Sequence, residues 1–135
     1  MKKIFFLLVL IILSCSINKT SVKGTYLKCN NHNLKDTLVL NIDGTYHRKL
    51  YSNSNKLVFE NVSSWTLQEN RIVLKDFLKD EDDISYTEIE KVFSEEMYSK
   101  YQKFLMTISL PLKREDGTVF ISINQDLNAY YKKIK

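Results

Sequence analysis

Short segments in which apolar residues recur at every second position, separated by turn signals, constrain the fold of this chain most strongly. Leu38, Leu40 and Ile42 share one face of such a segment, a spacing typical of a half-buried strand. Asp43-Gly44 follows and predicts a two-residue hairpin turn, because both central positions of that turn need a positive φ. The pattern therefore predicts an antiparallel β-protein.

The same period returns along most of the chain. It covers residues 45–51, 57–68, 71–74, 106–112, 119–123 and 129–134. Asp116-Gly117 predicts a second tight turn, and Pro111 predicts an edge or a bulge because it donates no hydrogen bond. We expect a mainly β fold, an antiparallel meander of about eight strands. Closure into a small barrel or half-barrel would remove its exposed edges.

One stretch has a helical period instead. Apolar side chains recur at threes and fours from Ile89 through Val92 and Phe93 to Tyr101, which lines one face of a helix. Thr87 with a glutamate three residues later fits a capping box. The sequence therefore predicts one helix near residues 87–104.

The N-terminal residues indicate where the protein is located. A basic head is followed by Ile4 to Leu13, which is apolar throughout but about half the roughly 20 residues that a spanning helix needs. Ile12-Leu13-Ser14-Cys15 resembles the lipobox of bacterial lipoproteins, in which the cysteine thiol is acylated, with palmitate among the attached chains. The resemblance implies a signal peptide at 1–14, a lipidated Cys15 with a tether at 15–21, and a single domain at 22–135.

Two alternatives stay open for this segment: a secreted protein with a cysteine near its cleavage site, and an uncleaved apolar N-terminus. If Cys15 is acylated, several chains give durable anchoring to the bilayer. Ser16 stands where an aspartate retains some lipoproteins at the inner membrane. By that analogy we expect a cell-envelope protein anchored in the outer membrane and facing the periplasm.

Charge and composition argue against two classes of function. Lys2 and Lys3 account for two of the 20 basic side chains, which stand against 16 acidic ones, and no basic block or aromatic-interleaved basic patch occurs. We therefore expect no nucleic-acid partner. The acidic run 80–83 reads as solvated surface, and no nucleophile elbow, metalloprotease helix or phosphate-binding loop is present. We expect no enzyme activity and no cofactor.

Several short motifs carry a resemblance to known families. They are Gly24-Thr25-Tyr26, Leu38-Val39-Leu40, Asp43-Gly44-Thr45-Tyr46, Trp65-Thr66-Leu67 and Ile72-Val73-Leu74. Their order is similar to small lipocalin-like lipoproteins of the bacterial envelope, of the Bacteroidetes type, and to the N-terminal domain of copper-resistance and envelope-stress lipoproteins. The resemblance covers residues 22–77 and implies a lipocalin-like barrel.

Cys29 and His32 form the sharpest local constellation. A thiolate and an imidazole at this spacing could ligate Cu(I) or Zn(II), with His47 as a possible third ligand. The stress lipoproteins carry a cysteine pair near this point, and His32 takes the place of the second cysteine. The alternative is a buried cysteine beside a loop histidine.

The tyrosines of the predicted strands are the last notable feature. Tyr130 and Tyr131 are neighbours on the terminal strand, so only one of them can face inward. We expect a membrane-tethered, non-catalytic binding or inhibitory module with an envelope protein, such as a hydrolase, as partner. The alternatives are a carrier of a small apolar ligand in the barrel and a metal or stress sensor using Cys29 and His32.

Overall fold

Eight antiparallel strands form a closed barrel in which each strand pairs with its neighbours in sequence, and β8 pairs with β1. The computed structural model describes residues 17–29, 34–78 and 104–135. Its elements are α1 (Lys19–Val22), β1 (Gly24–Cys29), β2 (Leu34–Leu40), β3 (Thr45–Ser52), β4 (Leu57–Gln68), β5 (Arg71–Leu78), β6 (Leu105–Glu115), β7 (Thr118–Asn124) and β8 (Ala129–Lys133). The predicted fold class is confirmed. The helix predicted near residues 87–104 lies outside the described residues except for Phe104, which is in a turn.

The alternation correctly identifies most of the inward-facing side chains. Leu38 and Leu40 are buried as predicted, but Ile42 is 51% exposed because β2 ends at Leu40 and Ile42 lies in the following turn. Tyr131 is buried and its neighbour Tyr130 is half-buried on the other face of β8, as the alternation requires.

The two Asp-Gly turns differ from one another. Asp116-Gly117 is the predicted tight turn, with φ values of 47° and 78°. The two-residue turn predicted at Asp43-Gly44 is wrong, because only Gly44 has a positive φ, 91°. The Asn41 N–H donates to the Thr45 carbonyl at 2.9 Å and encloses a longer loop that ends at the glycine. The Asp43 carboxylate accepts from the Thr45 N–H at 2.8 Å, which fixes this loop.

The barrel has two unlike ends. We call one the helix end; it carries α1, the turns at 41–44, 69–70 and 116–117, and the C-terminal residue. The other is the loop end, where β1 and β5 end, β2 and β6 begin, and the turns 53–56 and 125–128 lie. The helix-end connections have two to four residues, and the loop-end connections have four or more. The barrel is therefore polarised along its axis.

Strands β4 and β6 change partners along their length. β4 pairs with β3 as far as Ser64 and with β5 from Trp65 onward, whereas β6 pairs with β5 as far as Pro111 and with β7 from Leu112 onward. Pro111 is the last β6 residue of the β5–β6 ladder and directly precedes Leu112, where pairing with β7 begins, so the residue without an N–H lies at the change of partner. A seam without ladder pairing is thus left between β4 and β5 toward the loop end.

The helix end is closed by α1 and by the C-terminal residues. The Tyr26 hydroxyl donates to the Val22 carbonyl at 2.5 Å, which fixes α1 across the barrel, and Ile17 packs against the core. Asn18 and Ser21 form a capping box, so a helical turn lies within the segment expected to be a tether. Among the described residues no helix is long and apolar enough to cross a bilayer.

Gly24 is required where β1 meets the C-terminus. It has a φ of +144°, and a Cβ at this position would lie 2.2 Å from the Lys135 carbonyl oxygen. The main chain of Thr25 holds that residue in place, donating to the Lys135 carbonyl at 2.9 Å. No other residue type fits this contact without moving the C-terminus.

We predict that Gly24→Ala lowers the free energy of unfolding more than Gly117→Ala does. Gly117 also has a positive φ, but a Cβ there meets no atom within 4 Å, so it bears only the conformational cost of about 1–2 kcal/mol. Gly24→Ala adds a steric clash with main chain to that cost. Urea denaturation followed by tryptophan fluorescence measures both variants. Equal losses would contradict this account of the helix end.

Candidate functional site

A charged pair lies in the interior of the barrel. Asp36 on β2 and Arg48 on β3 are both buried, and the Arg48 Nε and Nη2 donate to the two Asp36 carboxylate oxygens at 3.1 and 2.7 Å. The Tyr131 hydroxyl donates to the same carboxylate at 2.5 Å. A bidentate, charge-assisted pair of this kind compensates both buried charges. The side chains of three strands are thereby joined across the interior.

Arg48 also links the two apolar clusters of the interior. Its Nη1 donates to the Leu78 carbonyl at 2.6 Å, and Leu78 belongs to the cluster at the loop end. Its guanidinium lies 4.2 Å from the centroid of the Phe77 ring, which belongs to the larger cluster. A cation over an aromatic face adds an attractive interaction. The Arg48 guanidinium is therefore held by Asp36, by the Leu78 carbonyl and by the Phe77 ring.

A second polar group seals the seam between β4 and β5. The Tyr46 hydroxyl donates to the Lys75 carbonyl at 2.6 Å, and the Asn61 amide donates to the Asp76 carbonyl at 2.6 Å. Asp76 has a φ of 49° and lies in the bulge of β5, and its carboxylate accepts from the Ser63 hydroxyl at 2.8 Å. These side chains thus donate hydrogen bonds to β5 carbonyls that main-chain N–H groups of β4 would satisfy in a continuous β4–β5 ladder. Burial raises the pKa of Tyr46, which keeps its hydroxyl protonated as a donor.

The sequence reasoning missed these interior polar residues, although a signal for them exists. Asp36 stands two residues before Leu38, and Arg48 stands two residues after Tyr46, so both continue the inward-facing positions of their strands. A carboxylate and a guanidinium on inward positions of adjacent strands predict an ion pair. The bulge at Asp76 carries no such signal, because an aspartate there adopts a conformation that glycine usually provides.

The loop end exposes large apolar side chains. Leu127 in the β7–β8 connection is 66% exposed, and Phe104 and Met106 at the start of β6 are 46% and 47% exposed. Leu105, which stands between Phe104 and Met106, packs against the loop-end core cluster, so the two exposed side chains flank a residue that reaches the barrel interior. Among the described residues, the loop end holds three of the six large exposed apolar side chains, whereas Ile42 and Ile134 are exposed at the helix end and Val62 on the wall of the barrel. A group of exposed apolar side chains is typical of a contact surface.

Cys29 is half-buried at the loop end of β1, directly opposite Tyr130 on β8. The proximity of the Cys29 sulfur raises the pKa of Tyr130, because an ionised thiol repels a tyrosinate. The Tyr130 ring meets the Phe120 ring edge-on at a centroid distance of 5.6 Å. Cys29 therefore borders an aromatic cluster on the outer face of the barrel and is not fully buried.

The predicted metal site is described only at Cys29. His32 lies outside the described residues, as does the predicted lipidation site Cys15. The third candidate ligand, His47, is on β3 with β2 between it and β1, and its Nε2 lies 2.5 Å from a Glu60 carboxylate oxygen. Over residues 17–29, 34–78 and 104–135, no group of three or more possible metal-ligating side chains is found. The pair Cys29–His32 stays a prediction.

We predict that Asp36→Leu lowers the free energy of unfolding by about 3–5 kcal/mol, because it leaves the Arg48 charge buried without its counterion. The double variant Asp36→Leu/Arg48→Met is expected to recover part of this loss, since it removes the unpaired charge but leaves the Leu78 carbonyl and the Tyr131 hydroxyl without their partners. Chemical denaturation of the two variants measures the difference.

The matched control for this prediction is Glu115→Ala. Glu115 pairs with Lys113 on the surface, and exposed pairs contribute only about 0–1 kcal/mol. If the double variant loses as much stability as the sum of its two single variants, the interior pair does not act as a unit.

Comparisons with protein-family models, with curated proteins and with solved structures found no match to this chain. A barrel fold by itself does not indicate a function, because the same architecture serves unrelated activities.

Proposed function

We propose that this protein is a lipid-anchored lipoprotein of the bacterial envelope and that its barrel is a non-catalytic binding module. One observation carries the proposal: α1 closes the end next to the proposed anchor, and the opposite end holds Leu127, Phe104 and Met106, three of the six large exposed apolar side chains among the described residues. A module oriented by its anchor would present the loop end to a partner.

The chain length between anchor and barrel supports this orientation. Ile17 packs against the core, and only Ser16 separates it from Cys15. Because consecutive Cα atoms are about 3.8 Å apart, Cys15 lies within about 8 Å of Ile17. An acyl group on Cys15 would therefore hold the helix end close to the bilayer surface and direct the loop end away from it.

The interior chemistry supports a non-catalytic role. The buried ionisable side chains Asp36, Arg48 and Tyr131 are bonded to one another, and Arg48 also bonds a main-chain carbonyl. General acid–base catalysis requires such groups to reach a substrate. Here they hold the strands together. A protein partner at the loop end, through Leu127, Phe104 and Met106, accounts for the surface that these contacts leave exposed.

A second candidate function is the carriage of a small apolar ligand. Leu105 packs against the loop-end cluster, and Phe104 before it and Met106 after it are exposed. An apolar ligand inserted at the mouth of the barrel would cover them. The interior below this mouth is occupied by the Arg48–Asp36 pair and its neighbours, which favours a protein partner over a deeply bound ligand.

We predict that a photo-cross-linking amino acid placed at Leu127 gives a discrete adduct with one envelope protein in living cells. The same probe placed at Ile42 in the helix end should give no protein adduct, because that end faces the bilayer. Ile42 is the matched control, since it is also an exposed apolar residue in a turn. Mass spectrometry identifies the adducts.

The intact mass of the purified protein tests the anchor in the same preparation. We expect a product that is lighter by the signal peptide and heavier by acyl groups, with the acyl mass absent from Cys15→Ala. Protein adducts of equal yield from both probes would contradict the orientation, and adducts from neither probe would contradict the binding role.

A further inference from the structure

Basic side chains surround the axis of the barrel at its helix end. Arg114 stands two residues after Leu112 on β6, and Lys133 stands two residues after Tyr131 on β8. Both continue inward-facing rows beyond the point where the core ends, so by alternation they belong to the mouth of the barrel rather than to its outer wall. Lys23, between α1 and β1, is exposed beside them. We call these three residues the basic mouth.

The three charges of the basic mouth lie near one another. The Lys133 Nζ donates to the Ser21 carbonyl at 2.7 Å, which holds its side chain across the helix end. Its pKa is lowered by partial burial and by repulsion from Lys23 and Arg114. An anion that binds among mutually repelling positive charges also relieves their repulsion. Its electrostatic free energy of binding is therefore more favourable than at an isolated charge.

Acidic groups at the same end are partly engaged with other residues. Glu115 forms an ion pair with Lys113, and Asp43 accepts hydrogen bonds from the main chain and hydroxyl of Thr45. Glu69 and Asp116 are the acidic residues of the other two turns. These four acidic side chains stand against seven basic ones at the helix end, which are Lys19, Lys23, Arg71, Lys113, Arg114, Lys133 and Lys135. The end from which the chain leads to Cys15 is therefore net positive.

We infer that the basic mouth binds the phosphate groups of anionic phospholipids and so seats the helix end of the barrel flat on the bilayer. This inference rests on the proposed anchoring through Cys15, which brings the surface and the bilayer together. Each Lys or Arg near an anionic membrane surface strengthens binding about 5-fold. Two such residues therefore change the docking equilibrium about 30-fold. The acyl group supplies the attachment, and the basic mouth sets the orientation.

Trp65 provides a reporter for this docking, since it is the one tryptophan in the sequence. It lies at the helix end, where its indole N–H donates to the Asn41 carbonyl at 2.9 Å and Lys19 lies 5.4 Å above its ring. The full-length acylated protein is reconstituted into vesicles whose headgroups carry a dansyl acceptor. Energy transfer from Trp65 to dansyl then measures the distance of the helix end from the headgroups.

We expect higher energy transfer in phosphatidylcholine vesicles that contain phosphatidylglycerol than in phosphatidylcholine alone. Lys23→Glu/Arg114→Glu should weaken docking about 30-fold or more and reduce transfer to the phosphatidylcholine level. The matched control is Lys35→Glu/Lys56→Glu, which changes the net charge equally but at the loop end, where both lysines are exposed. This control should keep the full transfer.

The outcomes separate the inference from the proposed function. An acylated protein whose energy transfer is unaffected by phosphatidylglycerol or by Lys23→Glu/Arg114→Glu overturns the inference and leaves the anchoring intact. Equal losses in the two double variants also overturn it, because net charge alone would then explain the effect. A product without acyl mass overturns the anchoring and, with it, the inference.

Discussion

The seam between β4 and β5 is the constraint on which the rest of the barrel depends. Beyond the pair Trp65–Leu74 these two strands no longer exchange ladder hydrogen bonds, and carbonyls of β5 would be left without partners inside the protein. Tyr46, Asn61 and Arg48 donate to them instead. Bringing a guanidinium to this place requires a counterion, and Asp36 with its bond from Tyr131 meets that requirement. The interior charge is thus a consequence of how the barrel closes.

This constraint shapes what the protein can do. Polar groups that complete the barrel are committed to main-chain carbonyls and to one another, so they offer no free acid, base or ligand-binding group. We therefore propose that the two ends of the barrel carry the function. The helix end is sealed by α1 and by the contact of Gly24 with Lys135, whereas the loop end exposes apolar side chains. A closed end near the proposed anchor and an exposed end opposite it suit a tethered binding module.

Much of the fold could be predicted from the sequence, because burial on one face leaves a period of two that survives in each strand. Leu38, Leu40, Ile72 and Ile121 were placed inward by that period alone. The turn at Asp43 could not be predicted, since its length depends on the hydrogen bond from Asn41 to Thr45 and not on the Asp-Gly pair. Strand partner changes along β4 and β6 are also invisible locally, apart from the missing donor of Pro111.

We conclude that the buried Asp36 and Arg48 side chains bond to each other and to the protein, and are not available to bind a ligand. The most direct measurement is the solvent exchange of the Arg48 Nε proton, observed by nuclear magnetic resonance in protein with 15N-labelled arginine. The structure predicts a slowly exchanging resonance, assigned by its loss in Arg48→Met, because this proton is buried and bonded to Asp36. Rapid exchange with water, like that of the exposed Arg114, would contradict the account.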